Sequence, residues 1–155
     1  MYAVVRLRGS VNVRPDARDT LKMLRLQRVN HCVLLPESKT YDGMIRVAKD
    51  YIAWGKVGKE WVEELLRKRG RTGGGGRLTD EWLKNNTKFA SISELAGAIY
   101  EGRTEMKNVP KVKPLFRLHP ARGGLGTRGT KKTFKEGGAM GNWGDTIGEL
   151  LDQMR

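Results

Sequence analysis

Residues 106–135 hold nine fixed positive charges, Lys107, Lys111, Lys113, Arg117, Arg122, Arg128, Lys131, Lys132 and Lys135, and no Asp or Glu. Between residues 120 and 135, Gly123, Gly124, Gly126 and Gly129 allow close backbone approach, and only Leu125 and Phe134 are large and apolar. Such a segment cannot close a core of its own, and the chemistry it offers is neutralisation of a chain of phosphates. It is expected to take one shape only against an external polyanion. His119 and Phe134 are candidates to stack on splayed bases, which favours RNA over duplex DNA.

Competing chemistries have less behind them. Gly124, Gly126 and Gly129 spell G-x-G-x-x-G. The dinucleotide motif, however, needs a strand before it and an apolar helix after it. Pro120 and Arg122 precede the glycines and residues 130–138 have no helical period, so no cofactor is expected. One cysteine and two histidines, His31 and His119, cannot furnish a familiar zinc shell. Cys32 lies in an apolar run and reads as a packed side chain; lacking a second cysteine, the chain has no internal disulfide, which suits a reducing cytoplasm. Glu63 and Glu64 are adjacent, so on a helix they project about 100° apart and do not form a catalytic pair.

The 155 residues carry a net charge of +13, concentrated in the first thirty residues and in residues 106–135. Excess of this size points to nucleic acid or an anionic membrane, and its clustering to a phosphate-tracking face. No window approaches eighteen apolar residues, and residues 1–10 alternate where a signal peptide would be continuously apolar, so the chain reads as soluble and unprocessed.

Positioning these charges requires a scaffold. Ala3, Val5 and Leu7 alternate with Val4, Arg6 and Arg8, the period of a half-buried strand. Pro15 and Asp16 open a helix whose apolar side is Ala17, Leu21 and Leu24 and whose basic side is Arg18, Lys22 and Arg25, running to Arg28 before Asn30 breaks it. Residues 31–35 form a second strand. Residues 41–50 form a second helix with Met44, Val47, Ala48 and Tyr51 inward, and residues 51–54 a third strand closed by Gly55. Strand, helix, strand, helix, strand predicts an α+β sandwich with both helices on one face of a small sheet.

Beyond it, Trp61, Val62, Leu65 and Leu66 mark a helix ended by Gly70. Residues 71–77 read as a flexible glycine-rich linker. Thr79 caps a short helix, Ser91 with Glu94 forms a capping box, and Ile92, Leu95, Ala96 and Ile99 follow helical spacing. Residues 114–119 are expected as a strand, and Thr146 with Glu149 as the capping box of a final helix.

Several strings together resemble the archaeal and eukaryotic branch of a universal large-subunit ribosomal protein family, numbered thirty in bacteria and archaea and seven in eukaryotes. They are Val5-Arg6-Leu7-Arg8-Gly9, Asp19-Thr20-Leu21, Leu24-Arg25-Leu26, Arg28-Val29-Asn30-His31 and Asp50-Tyr51-Ile52-Ala53-Trp54-Gly55. Tyr41, Gly43 and Met44 add to these, as do the later Arg117-Leu118-His119-Pro120, Arg122-Gly123-Gly124, Lys135-Glu136-Gly137-Gly138 and Gly141-Asn142. The resemblance implies a βαβαβ core with a three-stranded antiparallel sheet of ferredoxin-like arrangement, then a helical extension and a basic glycine-rich C-terminal arm. It divides the chain into a core (1–57), an extension (58–113) containing the 71–77 linker, and a terminal part (114–155).

It further implies one copy per large subunit in the cytoplasmic ribosome, binding and bridging large-subunit ribosomal RNA with 5S RNA and other ribosomal proteins nearby, with no catalysis and no membrane. Carried over by position, the RNA-facing residues are Arg8, Arg14, Arg25, Arg28, His31, Arg117, His119, Arg122, Arg128, Lys131, Lys132 and Lys135. Two alternatives from the residues alone are an RNA-modifying enzyme, or another RNA-binding protein outside the ribosome. A chromatin-like DNA coat is a further one.

Overall fold

The first strand, β1 (Tyr2–Arg6), has neighbours on both edges and is covered on both faces. The computed structural model describes residues 1–126 and 129–155. In it β2 (His31–Leu35) and β3 (Ile52–Lys56) flank β1, both antiparallel, with Val4 opposite Val33 on one side and Trp54 on the other. This is the expected three-stranded core. The C-terminal part of the chain widens it with β4 (Phe116–Arg117), antiparallel to β2, and β5 (Gly141–Gly144), parallel to β3, giving the order β4-β2-β1-β3-β5.

Helices α1 (Pro15–Met23) and α2 (Lys39–Ala48) both cover one face, as the crossovers predict. Ala17, Leu21, Ile45 and Ala48 pack there with Val4, Val33 and Ile52. The opposite face, Ala3, Val5, Cys32 and Ala53, is closed by elements that come later in sequence. These are α3 (Lys59–Arg69), α4 (Asp80–Asn86), α5 (Ile92–Tyr100) and α6 (Ile147–Met154). Leu65, Leu66, Leu95, Ile147 and Leu150 form the centre of that second core. The expectation of a half-buried β1 is therefore corrected. Both faces are buried because α1 and α2 pack on the Val4 and Arg6 side, which periodicity assigned to solvent, while the later half of the chain packs on Ala3, Val5 and Leu7.

Arg6 shows the consequence, at 4% exposure. Its guanidinium donates to the carbonyls of Leu26 (2.8 Å), Gln27 (3.0 Å) and Arg8 (2.8 Å) and to Ser10 Oγ (2.9 Å), so the buried charge is saturated with acceptors. Helix α1 ends at Met23 instead of continuing to Arg28. Arg25 and Asn30 adopt positive φ, and Arg6 takes carbonyls that a longer helix would use internally. In α2 the buried pair is Ile45 and Ala48, while Val47 is exposed.

The caps divide in the same way between expected and corrected. Thr79 and Ser91 accept from the amides of Trp82 (3.3 Å) and Glu94 (3.2 Å), as expected. Thr146 makes no such cap; its hydroxyl donates to the Trp143 carbonyl at 2.7 Å.

The expected strand over residues 114–119 contracts to Phe116 and Arg117, because only these two pair with β2. Phe116 is fully buried and ties this edge to the second core. Phe116→Ala is expected to cost about 3–5 kcal/mol, read as a lower urea midpoint at unchanged slope; a loss under about 1 kcal/mol would show that β4 is not part of the cooperative core.

Candidate nucleic-acid interface

The β4 edge is where the predicted cations first converge. Pairing of β4 with β2 sets Arg117 opposite His31, and the Leu118 amide donates to the Asn30 carbonyl at 2.9 Å. The next residues are held by the C-terminus of α6: the amides of His119 and Arg122 donate to the carbonyls of Met154 (2.8 Å) and Gln153 (3.0 Å). Those carbonyls have no partner inside the helix, so the chain satisfies them while leaving the side chains of Arg117, His119 and Arg122 exposed.

His31 differs from its neighbours in being buried, at 8% exposure, with its Nδ1 lacking a hydrogen-bond partner. Burial lowers its pKa first, then the positive charges of Arg117, Arg28 and Arg6, with the Arg25 backbone opposing. Burial is thus the first cause of the shift, and the neighbouring arginine charges add to it. Cys32 beside it is fully buried, and burial pushes its thiol up to about 12, which suits packing and not nucleophilic attack.

The remaining predicted residues fall into separate groups. Arg8 donates to the Asp50 carbonyl at 3.1 Å, and Arg14 pairs with Asp16 at 2.5 Å, which raises the Arg14 pKa and lowers that of Asp16. Arg25 lies within electrostatic reach of Lys107, which itself pairs with Glu105 at 2.5 Å. Lys131, Lys132 and Lys135 are exposed on the arm, and Arg128 lies outside the described residues.

That arm is better tied down than its composition predicts. Phe134 stacks on Trp143 with ring centroids 4.2 Å apart, so it is engaged within the protein and not free to stack on a base. Thr133 and Glu136 form a reciprocal cap, and Ala139 and Met140 are buried in the second core. Gly129–Lys131 is a single 3-10 turn, where a dinucleotide site would need a long helix.

The structure adds cations that sequence reasoning passed over. Arg69, Arg71, Lys113, Arg117 and His119 line one cleft of about 440 Å³, with no carboxylate among its described lining residues. The sequence places Arg69 at the end of a helix closed by Gly70 and Arg71 in the 71–77 linker. The available signal was the run of basic residues at 67–71, whose meaning depends on a long-range approach to β4. Among the described residues, no cluster of His, Cys, Asp and Glu could hold a metal, and no helix is long and apolar enough to cross a membrane.

Comparison with known proteins gives this geometry its context. Residues 2–52, spanning β1 to the start of β3, match the family described as "Ribosomal protein L30p/L7e". Proteins named "Large ribosomal subunit protein uL30" from Methanothrix thermoacetophila, Methanocorpusculum labreanum and Methanocella arvoryzae are 52%, 49% and 48% identical over 155 residues, covering all of both chains. The chain belongs to the uL30 family. The uL30 likeness thus extends through the cleft and the arm, well past the segment that the family description matches.

The buried histidine supplies the test of this placement. Its folded pKa lies below the ordinary value of 6.5, so the unfolded chain binds the additional proton first on acidification. The associated stability is complete above that value and lost as pH falls through the folded pKa. An NMR titration of the His31 ring is expected to show a midpoint below 6.5; a midpoint at or above it would contradict burial of the ring among these arginines.

Proposed function

We propose that this chain is a structural constituent of the large ribosomal subunit, in the cytoplasm, and that it binds ribosomal RNA without catalysing a reaction. The observation that carries the reading is a carboxylate-free basic cleft in a chain with full-length likeness to uL30 proteins. Arginine guanidiniums grip phosphates through paired donors and carry no base preference of their own, so they position a folded RNA and do not read its sequence.

On this reading Arg117, His119 and Arg122 form the central contact, Arg28 extends it, and His31 supports it from below. Lys131, Lys132, Lys135 and Arg128 bridge to a further RNA segment, while Arg8, Arg14 and Arg25 meet RNA on other sides of the core. The core (1–57), the extension (58–113) and the terminal part (114–155) divide the labour: the first two set the cations in place and the third presents most of them. One copy serves each subunit, with 5S RNA and other ribosomal proteins as neighbours.

Binding to large-subunit RNA should weaken steeply with salt, with a log–log slope of roughly −3 to −6 if about half of the nine cations of residues 106–135 engage. Arg117→Ala should reduce the magnitude of that slope by about 1 with cooperative melting preserved. A nearly flat salt response, or failure of the tagged protein to cosediment with large subunits, would overturn the proposal.

A further inference from the structure

Some cations on this protein's surface have carboxylate partners one turn away. On α3, Arg67 and Lys68 pair with Glu63 and Glu64 one turn earlier, each at 2.8 Å. Arg69, the next residue, has Leu65 at the equivalent position and no such partner. Burial and then the charges of Arg71, Arg122 and Arg77 lower its pKa. Each charged residue acting on it is itself positive.

Backbone bonds hold these charges together. After Gly70 the chain turns into a hairpin in which Arg71 bridges Arg77, and the Leu78 amide donates to the Gly70 carbonyl at 3.1 Å. The hairpin docks on the following segment through Gly73 to the Lys111 carbonyl (2.6 Å) and Lys113 to the Arg71 carbonyl (2.9 Å), with Thr72 buried. The glycine run expected as a linker thus forms one wall of the cleft, and β4 forms the other. Neither wall can withdraw from its like-charged neighbour without breaking main-chain hydrogen bonds.

We propose that the cleft between the 70–78 hairpin and β4 is a preorganised clamp for two RNA backbone segments that pass close together, its cations held in mutual repulsion until those phosphates arrive. The RNA occupant rests on the function proposed above; the clamp and its two-segment preference go beyond it. A single strand crossing a cleft of this size brings in few phosphates, fewer than its two basic walls can neutralise. Converging backbones supply the missing negative charge and are themselves relieved of repulsion. The clamp therefore selects a tertiary feature of RNA, not a sequence.

The test compares the wild type with Arg71→Gln, Lys113→Gln and the double variant Lys131→Gln/Lys132→Gln. The RNA probes are a four-way junction and single-stranded oligouridylate of matched phosphate number. The wild type should prefer the junction. Arg71→Gln and Lys113→Gln should each raise the melting temperature of the free protein at low salt, and each should weaken junction binding by about tenfold, the scale of one charge-assisted contact, with a smaller effect on oligouridylate. The arm variant should lower binding to both probes alike.

Equal binding of both probes by the wild type, or unchanged junction affinity in Arg71→Gln, would sink the clamp. Stabilisation by sodium tripolyphosphate without any junction preference would overturn it too, in favour of a free-polyanion site. If the wild type binds RNA but only the arm variant loses affinity, the clamp fails while the ribosomal reading stands; if the wild type binds neither probe nor large-subunit RNA, that reading fails first. A measurement independent of the variants is arginine modification by phenylglyoxal in the wild type. The junction should protect Arg69, Arg71 and Arg117, and unchanged modification at all three would overturn the clamp.

Discussion

Burial of the second face of the sheet is the constraint from which the rest follows. A three-stranded sheet with helices on one side leaves Ala3, Val5, Cys32 and Ala53 open to water, and exposing that much contiguous apolar surface is unfavourable. The chain covers it with α3, α5 and α6 and then uses both free edges of the sheet for β4 and β5. Arg69, Arg117 and His119 of the cleft are attached to these covering pieces, while Arg71 and Lys113 come from the hairpin and the segment it docks on. Arg69 ends α3, Arg117 belongs to β4, and the C-terminus of α6 holds His119 and Arg122 by their amides. The hydrophobic core thus places the charges.

This arrangement sets two tendencies against each other. Apolar packing and main-chain hydrogen bonds draw the hairpin, β4 and the segment at 119–122 together, while their like charges oppose the approach. Packing prevails because repulsion between partly solvated charges is screened to a fraction of its dry value, whereas the buried side chains contribute wherever they are excluded from water. The residual strain is electrostatic, and a polyanion relieves it without rearranging the backbone. A site of this kind loses little ordering entropy on binding, in contrast to a disordered basic tail.

Legibility in the sequence followed the range of the interactions. Strands β1 to β3 and helices α1 and α2 could be read because period-2 and period-3.6 patterns are local properties, and the caps at Thr79 and Ser91 involve residues three apart. What escaped reading was decided at a distance. Arg6 became a buried anchor through carbonyls some twenty positions away, and α1 stopped early for the same reason. Four consecutive glycines suggest flexibility until Lys111 and Lys113 supply the partners that close the hairpin. Phe134, apparently free in a polar loop, found Trp143. Of the candidate contacts, the charge-rich segment was evident from composition, but the gathering of Arg69 and Arg71 beside Arg117 needed the tertiary fold. The family resemblance rested on separate strings along the whole chain and so did not depend on reading any of these correctly.

The central claim is that the fold itself, before any RNA is present, holds these cations in place. Native-state hydrogen exchange on the free protein reads this at the amides of Gly73, Lys113, Leu118, His119 and Arg122, all of which donate main-chain hydrogen bonds around the cleft. Protection of these amides comparable to that of β1 is the predicted result. Rapid exchange at these positions, with β1 still protected, would mean that the walls form only on a partner and would contradict the account.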